Sequence, residues 1–192
     1  MRSGVVDEGL KITSNARLVL ITGNPGAWKS TVAKLIYGAQ EPEWRMLSLD
    51  DYFYLQNVGT VGADGWDRFE ANAEVRGAII QYIGDREGRV IAEGIIQTDR
   101  EIDVYRRAMK IPVGDPALRL FELRCTRETA ADRMFNRKVK ERAQATWARE
   151  QYAGHYDWLS RKLRASSAER VDTEGSTPEK AAQEIVDKVN GR

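Results

Sequence analysis

Two hydrophobic rhythms alternate along this chain. Short apolar runs such as Leu18-Val19-Leu20-Ile21 and Val90-Ile91-Ala92 carry no polar interruption, as strands do when a parallel sheet buries both their faces. Between them, apolar residues recur at helical spacing. Val32, Leu35 and Ile36 mark a helix over 29–38, and Phe69, Ala73, Ala78, Ile79 and Ile83 mark another over 67–83. Further strands are expected at 17–22, 45–49, 89–92 and 118–125, with a short fifth around Val171. A helix is expected over 100–110, then breaks at Pro112, Gly114 and Pro116, and residues 84–88 read as a turn. Residues 126–164 form a long, strongly charged helical region. The last helix opens at Ser176-Thr177-Pro178-Glu179, a capping residue followed by a first-turn proline, and keeps Ala181, Ile185 and Val189 in register.

No internal repeat and no domain-scale linker interrupts this order. Strands alternating with helices predict one three-layer α/β domain over 17–192, with a parallel sheet of about five strands. The polar, irregular stretch 1–16 reads as an arm. In such sheets ligands bind beyond the carboxyl ends of the strands. Lys29, Asp50, Asp51 and Glu93 all fall at those ends.

Composition narrows the class without naming it. Hydrophobic residues at 42% and charged residues at 31% suit a globular domain and exclude a disordered one. With a formal charge of +1, no global field favours a polyanionic partner, so charge must be read locally. Cys125 is the single cysteine and His155 the single histidine, which excludes an intramolecular disulfide and offers no zinc cluster. Cys125 itself lies on an apolar strand, where a core role is the plainer reading. No apolar run is long enough for a bilayer span or a signal peptide, and a cytoplasmic location is the expectation.

The chemistry concentrates where the first strand ends, at Gly23-Asn24-Pro25-Gly26-Ala27-Trp28-Lys29-Ser30-Thr31. A strand, a glycine-bearing loop and Lys-Ser opening a helix make the layout of a phosphate-binding P-loop. Loop N–H groups and the helix amino end suit polyphosphate oxygens. Lys29 would face the β- and γ-phosphates, Ser30 would offer its hydroxyl to Mg²⁺, and Thr31 could reach the α-phosphate. Trp28 stands where the usual pattern has its second glycine. If that position needs a positive φ, tryptophan costs on the order of 1 kcal/mol or more relative to glycine. Trp28→Gly is therefore expected to keep or improve nucleotide binding.

On these residues, together with Asp50-Asp51-Tyr52, Glu93-Gly94 and the terminal Val171-Asp172-Thr173 strand–helix pair, the chain resembles the P-loop nucleoside and nucleotide kinases. The polynucleotide kinase and uridine kinase groups are the nearest to it. The resemblance implies a P-loop NTPase fold with a helical lid at about 126–164, and ATP with Mg²⁺ as donor and cofactor. It implies Asp50 as the base that takes the acceptor proton, with Asp51 second, and Glu93 as a Mg²⁺ ligand, directly or through water. It also makes Arg127, Arg133 and Arg137 candidates for lid arginines that close over phosphates. Arg133 and Arg137 share a helix face at i, i+4.

From Arg133 to Arg164 nine Lys/Arg stand against three Asp/Glu, interleaved with Trp147, Tyr152, His155, Tyr156 and Trp158. A solvated amphipathic helix, a lid, and a track for DNA or RNA phosphates with rings stacking on bases all fit this composition. Trp44 and Trp66 border the expected acceptor pocket or simply pack. The expected reaction moves the γ-phosphate of ATP to a hydroxyl of a nucleic acid, either a polynucleotide 5′-hydroxyl or the hydroxymethyl group of a modified base such as 5-hydroxymethyluracil. A small-molecule nucleoside acceptor and a non-catalytic nucleotide-binding protein are the alternatives. Oligomeric state is not encoded in any of these signals.

Overall fold

The computed structural model describes residues 8–40, 42–49, 67–96, 98–141, 153–154, 156–157, 160–161 and 167–192. Its elements run β1 (Leu18–Gly23), α1 (Lys29–Gly38), β2 (Trp44–Ser48), α2 (Asp67–Glu87), β3 (Arg89–Glu93), α3 (Asp99–Ala108), β4 (Leu118–Arg124), α4 (Arg127–Glu141), β5 (Glu169–Asp172) and α5 (Pro178–Asn190). The five strands form one parallel sheet in the order β2-β3-β1-β4-β5. This is the expected α/β architecture with helices on both faces.

β1 sits at the centre, and all six of its residues are buried. Its alternate side chains feed two cores. Val19 and Ile21 pack with Val32 and Ile36 of α1 and with Ala182, Ile185 and Val186 of α5. Leu18 and Leu20 pack with Ile80 of α2 and with Ile102 and Tyr105 of α3. A continuous apolar strand is what two-sided burial requires, because period-2 alternation then puts an apolar residue on each face.

Three expectations are corrected. Residues 84–87 belong to α2, not to a turn, and the Gly88 amide closes the helix on the Gly84 carbonyl. Gly84 is there for proximity: a Cβ on it would lie 2.2 Å from the Met109 sulfur. The buried stripe of α2 is Ala73, Arg76, Gly77, Ile80 and Gly84, whereas Ala78, expected inside, is exposed. Residues 8–16 are packed down. Leu10, Ile12 and Ala16 join the α1/α5 core, and the Asn190 side chain accepts from the Thr13 and Ser14 amides while donating to the Lys11 carbonyl.

Trp44 is fully buried at the amino end of β2, with the Arg89 guanidinium 5.5 Å from its ring centroid. It is core, and lies at the end of the strand opposite the carboxyl edge of the sheet. A buried ion pair joins α2 to α3: Arg76 and Glu101, 1% and 0% exposed, lie 3.4 Å apart. Glu101 also completes a capping box with Thr98 at the start of α3.

Candidate active site

β1 delivers the chain to the carboxyl edge of the sheet, where the loop 24–28 turns back into α1. Gly26 is indispensable there, with φ at +86° and the Ala130 carbonyl oxygen only 2.3 Å from where a Cβ would stand. Helix α4 therefore lies directly against the loop. The loop closes on itself through the Ala27 amide, which donates to the Asn24 carbonyl at 3.1 Å.

α1 begins without help from side chains. Trp28 at its N-cap makes no side-chain capping bond, and no acidic residue lies in the first turn. The first N–H groups of a helix have no intrahelical acceptor, and together with the helix dipole they favour an anion. Lys29 is buried, 8% exposed, with its ammonium 3.5 Å from the Asn24 carbonyl. The cation is thus folded back over the loop. Ser30 and Thr31 follow it in the first turn.

Glu93 ends β3, the strand hydrogen-bonded to β1, and is paired in register with Ile21 and with Ser48. Its side chain is 2% exposed. The chain beyond it is pinned to the end of β1: Thr22 Oγ1 accepts the Ile96 amide at 3.0 Å, and the Gly94 amide donates to the Ile21 carbonyl. A carboxylate at this edge and the Ser30 hydroxyl are both hard oxygen donors, which suits Mg²⁺. Among the described residues no cluster of three or more His, Cys, Asp or Glu could hold a metal by itself. Asp50 and Asp51, which come after β2 in the sequence, lie outside the described residues.

The arginines separate. Arg133 lies over the Trp28 ring with its guanidinium carbon 3.4 Å from the centroid. It donates to Thr173 Oγ1 at 3.0 Å and to the Thr173 carbonyl at 2.6 Å. Trp28 itself is left-handed, φ +70° and ψ +17°, so position 28 does demand the positive φ that glycine usually supplies. Arg127 is exposed and paired with Glu128 and Asp157, at 3.1 and 3.3 Å. Those carboxylates, with the Glu128 hydrogen bond foremost, hold its pKa above the ordinary guanidinium value. Arg137 stands one turn further along α4, with its side chain outside the described ones. His155 also lies outside them.

Several site-forming residues escaped the sequence reading. Thr173, fully buried, donates its amide to the Arg124 carbonyl at 2.7 Å and its hydroxyl to the same oxygen at 2.9 Å. Glu174 accepts from the Thr126 amide at 2.7 Å and from Thr129 Oγ1 at 2.5 Å, closing the start of α4. These bonds, the Thr129 hydroxyl first, hold its carboxyl below the usual range. Asn24 donates to Ser160 Oγ at 2.7 Å, and Tyr156 donates to the Cys125 carbonyl. Ser160 thus reaches the loop, while Tyr156 ties to the end of β4. Burial raises the Cys125 thiol pKa, with Arg133 pulling the other way, which suits a packed thiol better than a nucleophile. The advance signals were the place of Thr173 and Glu174 after the last strand and, for Thr173, its part in the terminal Val171-Asp172-Thr173 run.

No family model matches the chain, and no curated protein does. Solved structures do. A sugar kinase from Janibacter sp. HTCC2649 superposes with a TM-score of 0.54 at 16% identity, covering 89% of this chain and 92% of that one. A candidate kinase from Chloroflexus aurantiacus gives a TM-score of 0.58 at 16% identity, over 93% and 98%. A chain of the Pnkp1/Rnl/Hen1 RNA repair complex gives 0.51 at 17% identity, over 77% of this chain and 45% of that one. The chain thus has the fold of these proteins. Among the described residues, no helix is long and apolar enough to cross a membrane.

Proposed function

We propose that this chain is a phosphotransferase that moves the γ-phosphate of ATP to a hydroxyl of a nucleic-acid acceptor, in the cytoplasm. The carrying observation is the buried Lys29 at an uncapped helix start, with Glu93 at the end of the neighbouring strand. Loop amides and Lys29 would take the β- and γ-phosphates. Asp50, or Asp51 beside it, would accept the acceptor proton as the hydroxyl oxygen bonds to the γ-phosphorus and the bond to the bridging oxygen of ADP breaks. Ser30 and Glu93 would hold Mg²⁺, which when bound neutralises charge on the phosphate oxygens. Arg133 and Arg137 would face the charge spread over the transferring oxygens, and Arg127 would contact the nucleotide.

The basic, aromatic segment after α4 begins supports a polymeric acceptor, as does likeness to a chain of an RNA repair complex. A polynucleotide 5′-hydroxyl and the hydroxymethyl group of a modified base in DNA are the two forms considered. A small-molecule alcohol such as a nucleoside is the second reading, supported by near-complete mutual coverage with the sugar kinase. Labelled γ-phosphate transfer, screened over nucleosides, 5′-hydroxyl oligonucleotides and hydroxymethylated DNA with Lys29→Ala as control, tests both. Transfer to a polymer that fades steeply with salt supports the first. Transfer only to nucleosides selects the second. Nucleotide binding without Lys29-dependent transfer to any acceptor would sink the enzyme reading and leave a nucleotide-binding protein.

A further inference from the structure

Trp28 is held in a backbone region that large L-residues avoid, and such strain persists only where the surroundings over-determine it. Among the described residues only one other non-glycine, Lys110, has a positive φ. What surrounds Trp28 is specific. The Arg133 guanidinium covers one ring face at 3.4 Å, while the indole is half-buried against the α1/α5 core. Arg133 is in turn fixed by two hydrogen bonds to Thr173, whose hydroxyl and amide are anchored to the Arg124 carbonyl. The ends of β4 and β5, the middle of α4 and the phosphate loop thus meet on one cation.

We propose that Trp28 is a positioning residue: its ring fixes the plane of Arg133 at the mouth of the phosphate loop, so that loop and α4 present one preformed cationic site to the donor nucleotide. The hydrogen bonds to Thr173 set where the guanidinium sits, and the ring sets how it is turned. A glycine at 28 would satisfy the backbone but release the arginine and loosen the loop. The expectation for Trp28→Gly therefore turns over, from unchanged or tighter binding to weaker binding. The inference rests on the reading that this loop binds a nucleoside triphosphate.

Calorimetric titration of the full chain with ATP and Mg²⁺ tests it, alongside thermal melts of each variant. Trp28→Gly and Arg133→Ala should each weaken ATP binding by about tenfold, between the worth of an exposed and of a desolvated cation–π contact. The double variant should lose no more than either single, because the two residues act as a unit. Trp28→Tyr keeps an aromatic face and should restore most of the affinity. Arg133→Lys keeps the charge but loses the planar fork, and should fall in between. A merely structural role would shift melting and leave the affinity of the folded protein alone. Should Trp28→Gly fail to fold, Arg133→Ala and Trp28→Tyr still decide the matter. Folded Trp28→Gly binding as tightly as the parent, or losses that multiply in the double variant, would overturn the proposal. If the parent binds no ATP, or binds it no better than Lys29→Ala, the nucleotide reading itself fails; parental binding with indifferent Trp28 and Arg133 variants fails the inference alone.

Discussion

Two helices start at the same edge of the sheet, after the adjacent strands β1 and β4, and treat their first N–H groups in opposite ways. α4 is closed: Thr126 caps it with a hydroxyl bond to the Thr129 amide, and Glu174 reaches over from the loop after β5. α3 and α5 are closed as well, by Thr98 with Glu101 and by Thr177 with Pro178. α1 alone among these four receives no side-chain cap, and its first turn carries Lys29 where the others carry an acid. Capped ends serve stability, whereas an open end with a buried cation beside it suits an anion. Substitutions at the two kinds of end should therefore fall on different measurements.

The largest separation should come from Lys29→Ala. If Lys29 faces the phosphates as proposed, removing its charge should lower phosphoryl transfer by about 10²–10³-fold, with a melting temperature close to the parent's. A rate within a few-fold of the parent would place the anion elsewhere and erase the contrast between the helix starts. Glu101→Ala is the opposite case. It removes the carboxylate that accepts the Thr98 amide in the capping box and leaves Arg76 buried without that partner, so chemical denaturation should show a loss of about 3–5 kcal/mol. Transfer per folded molecule should change far less than in Lys29→Ala.

Why these two residues differed in legibility follows from the same contrast. The start and end of α1 were readable to the residue, because the open end is a local motif next to a buried strand. The sheet, its five strands and the proline start of α5 were readable for the same local reason. Glu101 was not, since a charged residue on an amphipathic helix reads as solvated, and only the packing of α2 on α3 turns it inward to Arg76. The inner face of α2 was misread for a related cause: Arg76, Gly77 and Gly84 do not register as hydrophobic, yet close approach to Val104 and Met109 needs those glycines. Arg133 was named as a phosphate candidate, but its partner Thr173 is 40 residues away, beyond any spacing rule. The catalytic-base candidates Asp50 and Asp51 rest on sequence alone.

A milder probe is Thr126→Ala, which removes the hydroxyl that accepts the Thr129 amide and donates to Glu174. The loss expected from denaturation is about 1 kcal/mol, typical of an N-cap deletion. Nucleotide affinity measured by titration should stay near the parent's, because the loop meets α4 through Gly26 at Ala130 and through Trp28 at Arg133, further along the helix. A large fall in affinity without a fall in stability would mean that the closed end of α4 also serves the ligand.

The smallest effect should be the pH signature of Glu174. Its pKa is held below the ordinary carboxylate value by the Thr129 hydroxyl and the Thr126 amide. A carboxylate depressed in the folded state contributes stability that is fully present above its unfolded pKa and is lost as pH falls through the folded one. Melts of the parent and of Glu174→Gln should therefore differ at neutral pH and converge in acid, below the usual carboxylate range. The difference should be small, since the group is fully exposed and solvent screens it. A gap that stayed constant with pH would assign the role of Glu174 to hydrogen bonding alone, without its charge.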